Sequence, residues 1–399
     1  MSRAAGKFLM GLFLVQILGL FAANLPVAAQ ARETPQSRVE QQALYEAAQA
    51  VENKQYAEAE QILTNCISRR QAKTGYRVFL QLGNVYAVGQ KPRKALASYK
   101  KAVSCNDQDP AVWQNMGKAC FDLERFSAAG DYLERAWQLQ AEKSPDVLFQ
   151  AAGCRMMAGQ AEKAYDLLKI LCTGDPENLR LEWLQSFAQV CMALDKGKEA
   201  RQAVYRLLAR QPEKPQWWKM LANVDIRAEN YDKAAAAFKV HNQLVAPRKE
   251  DVLRLGDLYM AAGVPAKAAE QYEILLQQDP AARQYEKAAS AYLAACRPEK
   301  AAAILKQAVE RTPEPRLWHM LGSILYNQDK PEQAYGAFQK SYNLNSDKGG
   351  SALMMGYSAL KAGLVHEAVD AFEKAAKFKN QQPAATAGLN AARSLADAR

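Results

Sequence analysis

Ten alanines cut this chain into nearly equal lengths. They are Ala59, Ala95, Ala129, Ala164, Ala200, Ala234, Ala268, Ala301, Ala334 and Ala368, spaced by 33 to 36 residues. Twelve residues before each stands Ala47, Gly83, Gly117, Ala152, Ala188, Ala222, Gly256, Ala289, Gly322 or Gly356, so that position is always Ala or Gly. Four residues after each stands Leu63, Tyr99, Leu133, Leu168, Val204, Phe238, Tyr272, Leu305, Phe338 or Phe372, and all ten are apolar. A period of this size marks a stacked repeat, in which no unit can bury its apolar face alone and neighbours complete one another's core. It overrides the two or three globular domains that 399 residues would otherwise suggest.

One repeat shows how a unit folds. The stretch from Trp318 to Phe338 reads WHMLGSILYNQDKPEQAYGAF, two short amphipathic segments with a break between them. Gly322 lies inside the first segment, where Gly costs about 1 kcal/mol against Ala. Close approach of two helices explains that sacrifice. A larger side chain would force the pair apart, and overpacking costs about 1–3 kcal/mol. The expectation is an antiparallel pair of helices, with the small residue of the first and the Ala of the second where the backbones come closest. Pro331 opens the second helix, at a position where its missing N–H is not needed. Pro176, Pro212, Pro280 and Pro313 close several units.

This pattern resembles the tetratricopeptide repeat, written W-x2-L-G-x2-Y…A-x3-F…P at period 34. The resemblance implies an all-α, right-handed superhelical solenoid of about ten helix-turn-helix repeats over residues 40–382, ended by a C-terminal capping helix over 383–399. Leu389, Ala392 and Leu395 would form the apolar face of that cap. Three positions depart from the pattern and read as soft spots: Glu46 at the Leu position, and Arg155 and Asp225 at the Tyr position.

The N-terminus differs in kind. Met1 to Lys7 carries Arg3, Lys7 and no acid, Phe8 to Leu25 is almost wholly apolar, and Ala29-x-Ala31 follows. This is the three-part form of a secretory signal peptide, expected over 1–31 with cleavage after Ala31 and a flexible segment over 32–39. Cleavage after Ala29 is the second option. An uncleaved helix anchored in the inner membrane and facing the periplasm is the alternative, since the apolar run barely reaches spanning length. No second run approaches that length, so no membrane span is expected in the mature chain.

Composition supports an ordinary water-facing helical protein, with 24% charged and 49% apolar residues. The formal charge of +10 falls to +8 without Arg3 and Lys7, too moderate to argue for nucleic acid. The seven cysteines are odd in number and irregular in spacing, with no C-x-x-C, so they read as small buried hydrophobes rather than as a disulfide framework or zinc site.

No catalytic site is expected, and no cofactor or metal. The chain lacks H-E-x-x-H, G-x-S-x-G, a P-loop and G-x-G-x-x-G. His241, His319 and His366 fall in different repeats, and the pairs Met156-Met157 and Met354-Met355 read as packing rather than as copper ligands.

The resemblance implies that the first helix of each unit lines a concave groove. Its twelfth position reads Val51, Ala87, Phe121, Met156, Met192, Ile226, Met260, Leu293, Tyr326 and Leu360, an unbroken apolar stripe. The groove-facing charges sum to −2 over the first five units and to +3 over units six to nine. Some peptide-binding members of the family hold a C-terminal carboxylate. They use Lys and Asn at positions 5 and 9 of one unit, Asn at position 6 of the next and basic residues at positions 2 and 6 of the third. By that pattern Lys219 and Asn223, then Arg254 in place of Asn, then Arg283 and Lys287 form a candidate clamp, with Met260 and Leu293 beside it. Arg254 is open to neutralisation by Glu250 or Asp257.

The function expected is a non-catalytic periplasmic scaffold or adaptor that binds a partner protein or extended peptide, through a C-terminal carboxylate in the clamp reading. It is similar in kind to periplasmic repeat proteins that accompany TonB-type energy transducers. The alternative is an accessory structural part of an outer-membrane or polysaccharide export machine.

Overall fold

The computed structural model describes residues 38–174, 179–345 and 349–397. The expected signal peptide lies outside the described residues. So does the flexible segment, except for Arg38 and Val39, which are already helical.

Among the described residues there are twenty-one α-helices, a short 3-10 turn at Gln71–Lys73 and no strand. In chain order the helices are α1 (Arg38–Glu52), α2 (Tyr56–Arg70), α3 (Tyr76–Val88), α4 (Pro92–Cys105), α5 (Pro110–Asp122), α6 (Phe126–Leu139), α7 (Pro145–Met157), α8 (Ala161–Thr173), α9 (Leu181–Ala193), α10 (Gly197–Arg210), α11 (Pro215–Arg227), α12 (Tyr231–Leu244), α13 (Lys249–Ala261), α14 (Pro265–Gln278), α15 (Ala282–Ala294), α16 (Pro298–Arg311), α17 (Pro315–Asn327), α18 (Pro331–Leu344), α19 (Gly349–Lys361), α20 (Val365–Ala376) and α21 (Gln382–Asp397). They pair as ten hairpins with α21 left over. The chain forms two compact units, one ending at Leu207 within α10 and one beginning at Leu208. Within each unit successive helices pack on one another.

All ten of the periodic alanines are fully buried, and the residue four places on is at most 4% exposed in every hairpin. The close approach, however, is not glycine against alanine. A Cβ built on Gly322 would lie 2.9 Å from the Phe338 ring, and one on Gly256 would lie 2.5 Å from the Tyr272 ring. Gly83 meets Tyr99 and Gly356 meets Phe372 in the same way. The small residue of the first helix thus makes room for the side chain four places after the alanine. That side chain leans back toward the N-terminus of its own helix, as helical side chains do. Gly388 of α21 takes the other side of the Phe372 ring at 2.5 Å, and this seats the last helix on the stack.

Each hairpin turns through one residue in the left-handed region. Lys54, Gln90, Glu124, Asp195, Glu229, Cys296 and Asp329 have φ between 55° and 62°, and Gly159, Gly263 and Gly363 take the same place. The next N–H reaches back to the carbonyl five residues earlier, as in Lys91 N–H to Tyr86 O at 2.8 Å and Lys330 N–H to Leu325 O at 3.0 Å. That bond closes the end of the first helix and satisfies a carbonyl the helix leaves unpaired. Proline then opens the second helix at Pro92, Pro265, Pro298 and Pro331.

The three soft spots resolve differently. Glu46 is exposed and accepts from Gln42 one turn earlier on α1. Asp225 is buried. Arg155 is not a weakness. It is 2% exposed, and its guanidinium donates to Glu134 at 2.6 Å, Asp131 at 2.7 Å, Gln160 at 2.8 Å and the Ser127 carbonyl at 3.3 Å. It ties α7 to α6 where an aromatic ring was expected.

Candidate functional site

The sequence places the clamp residues on three successive first helices: Lys219 and Asn223 on α11, Arg254 and Met260 on α13, and Arg283, Lys287 and Leu293 on α15. The structure brings the first three together. Arg254 Nη2 donates to Asn223 Oδ1 at 2.7 Å, and both Lys219 and Arg254 stand within 6 Å of the Phe238 ring centre. Lys219 Nζ lies 3.5 Å from the Asp251 carboxylate. Burial pushes that carboxyl up. Lys219, together with the backbone and side chain of Arg248, outweighs burial and holds Asp251 below the usual carboxylate range.

The second cluster is linked to the next helix. Asp257 Oδ1 accepts from Tyr272 Oη at 2.6 Å and from Lys287 Nζ at 2.5 Å. Asp257 therefore neutralises Lys287 rather than Arg254. These bonds follow one rule: position 9 of a first helix accepts from position 6 of the next first helix. Asn84 obeys it as well, accepting from Asn115 at 2.9 Å and from Tyr99 Oη at 3.0 Å. In the Asn223 repeat the tyrosine is replaced by Phe238, so Arg254 supplies the donation alone. Sequence reasoning missed this ladder because it runs between repeats and joins unlike residues.

Arg283 differs from the other cations. It is exposed and makes no ion pair among the described residues. Its helix neighbour Glu286 pairs with Arg316 at 3.3 Å instead. The apolar stripe is half-buried everywhere but at Leu293, and Val51 and Leu360 pack against core clusters. Met260 is half-buried and Leu293 is 40% exposed, the most open member of the stripe in its unit. Beside Leu293 lies a cavity of about 240 Å³ between α15 and α17.

His241 and His319 hold neighbouring helices together through hydrogen bonds, and His319 also lines the cavity beside Leu293, while His366 is exposed. His241 is buried and its Nδ1 meets the Pro215 carbonyl at 3.0 Å, a role that Ser341 fills for Pro315 in a later repeat. His319 Nδ1 lies 3.0 Å from Ser351 Oγ, which lies 2.9 Å from Ser341 Oγ. Ser341 spends its proton on Pro315, so protons must run from His319 Nδ1–H through Ser351 to Ser341. Among the described residues no group of three or more His, Cys, Asp or Glu is placed to hold a metal ion. No helix among them is long and apolar enough to cross a membrane.

Residues 187–243, 253–314 and 286–348 match the tetratricopeptide repeat family. The human tetratricopeptide repeat protein 21B is 26% identical over 229 residues, 51% of this chain, and the chain spans only 17% of that protein's length. Among solved structures, the C-terminal part of a TPR repeat-containing protein from Cytophaga hutchinsonii is 15% identical with a TM-score of 0.45, covering 61% of this chain and 98% of that one. YrrB, described as a TPR protein with an unusual peptide-binding site, is 15% identical with a TM-score of 0.40, covering 48% and 95%. Repeats of this family serve as protein-binding scaffolds and are generally not catalytic. The matched residues, 187–243 and 253–348, are therefore tetratricopeptide repeats, and the same small residue, alanine and apolar side chain recur in every hairpin on either side of them.

Proposed function

We propose that this protein is an exported, non-catalytic adaptor that holds a partner protein or extended peptide against the first helices of its repeats, in the periplasm. The observation that carries the reading is the twelfth-position stripe, in which none of the ten apolar residues is buried. Val51 and Leu360 pack partly against the core, yet every member of the stripe keeps some surface open to a partner. The stripe offers adaptable contact, Met-rich in its middle, with cations beside it at Lys219, Arg254 and Arg283. Export rests on the N-terminal charge, apolar run and Ala29-x-Ala31.

The test joins Lys219→Ala to Arg283→Ala and compares the proteins retained from a periplasmic extract by the parent and the variant. Loss of a partner with unchanged helicity supports the adaptor reading and its basic site. Identical capture by the variant removes the clamp from the site. Retention of nothing by the parent counts against the adaptor reading itself.

A further inference from the structure

At Leu293 the apolar stripe borders a pocket. Leu293 and Met320 line it with Ile324, and Ser323, Asn327 and Gln328 add polar groups. A dry engineered cavity of about 150 Å³ holds benzene. A space of about 240 Å³ therefore has room for a larger ring system. Met320 offers a thioether, which makes favourable contacts with aromatic rings. The lining amides and hydroxyl suit a ring with a polar handle, the kind of side chain that is apolar in body and wet at one end.

A second observation lies on the same helix. Arg283 is exposed and without an ion pair among the described residues. It precedes Leu293 by ten residues, which at 1.5 Å per residue is about 15 Å along α15. An extended peptide covers about 15 Å in four to five residues.

We propose that the pocket at Leu293 takes a tyrosine or tryptophan side chain of a partner peptide while Arg283 takes a carboxylate four to five residues away in that peptide. This rests on the adaptor reading above and deepens it. The carboxylate has two sources, an Asp or Glu side chain or the chain end, and the shared chemistry is a charge-assisted bond to guanidinium.

The test uses Gly-Ser octapeptides with one tryptophan, carrying four residues later either a glutamate with an amidated end or the free C-terminal carboxylate. Binding to the whole protein is read by fluorescence anisotropy. The expectation is that at least one of the two binds, and that Trp→Ala in the peptide weakens it about tenfold or more. Leu293→Gln and Arg283→Gln in the protein each weaken it too. Both positions are exposed, so both variants keep the fold. Which peptide binds identifies the source of the carboxylate. Binding that is indifferent to the tryptophan or to Leu293→Gln overturns the pocket, and binding indifferent to Arg283→Gln overturns the two-point reading. If neither octapeptide binds at millimolar concentration while the protein still retains a partner from extract, this inference fails and the adaptor reading stands. If both fail, both fall.

Discussion

Inside a hairpin, the size of one residue sets the size of another. Where the first helix offers Gly, the facing side chain is Tyr99, Leu133, Tyr272, Phe338 or Phe372; where it offers Ala, the facing side chain is Leu63, Leu168, Val204, Phe238 or Leu305. Rings thus go mostly with glycine and branched aliphatics mostly with alanine, because a methyl group at 2.9 Å from a ring carbon leaves no van der Waals gap. Gly322→Ala should therefore destabilise the hairpin by about 1–3 kcal/mol, and Phe338→Leu in the same chain should recover part of that loss. A double-mutant cycle followed by hydrogen exchange across α17 and α18 measures the coupling. Strictly additive effects would show that the two side chains do not share the space. Cysteine chemistry is settled at this scale as well. Cys66, Cys120, Cys154, Cys172 and Cys191 are buried, while Cys105 and Cys296 are exposed. Burial pushes the thiols of Cys154, Cys172 and Cys191 up to about 12, which suppresses the reactive thiolate. Iodoacetamide at pH 8 should label Cys105 and Cys296 of the native reduced protein, and peptide mass spectra showing equal label at Cys154 would contradict the packing.

The hairpin turn belongs to the level of the element. Its left-handed residue is glycine in three repeats and a residue with a side chain in seven. That conformation costs an L-residue about 1–2 kcal/mol. Gln90→Gly and Glu124→Gly should each raise the denaturation midpoint, by about 1 kcal/mol in stability, and Gly263→Ala should lower it by a similar amount. Thermal or urea unfolding decides, and an unmoved midpoint for all three would mean the turn relaxes without help. Nothing in the sequence marks this turn, since Lys54, Gln90, Glu124, Asp195, Glu229, Cys296 and Asp329 share no chemistry. The helices themselves were legible, because position and size of side chain carry their packing directly. Arg155 was not, since a charge at an aromatic position reads as a defect until its partners on α6 are seen. Its removal strips four hydrogen bonds and a large buried side chain, so Arg155→Ala should cost about 2–4 kcal/mol. Loss of exchange protection should appear first in α6 and α7. The candidate site was legible only as a set of cations on three helices. Which of them are already engaged depends on contacts across repeats that no single-repeat pattern contains.

For the molecule as a whole, pairings of this kind tie stability to acidity. Asp251 is held below the ordinary carboxylate range by Lys219 and Arg248 against the effect of burial. A depressed carboxyl contributes its full stabilisation above its unfolded value, near pH 4, and loses it as pH falls through the folded value. The parent should lose more stability between pH 5 and pH 2 than an Asp251→Asn variant, as followed by melting temperature. Parallel curves would show that the pairing with Lys219 adds nothing. Each helix leans mainly on its nearest neighbours within its unit, so damage should stay local and unfolding need not be two-state.

The hairpin turn also sorts the chain into places that accept a change of length and places that do not. From the small residue to the alanine the count is twelve in all ten repeats, yet the repeats themselves run from 33 to 36 residues. That variation falls after the alanine, mostly in the connection from one hairpin to the next. A residue inserted between Gly89 and Lys91 would break the bond from Lys91 N–H to Tyr86 O that closes the turn and so shift Ala95 against α3. The same residue inserted between Gln140 and Ser144 would only lengthen a connection. A tag, a protease site or a label therefore belongs between hairpins and never inside one.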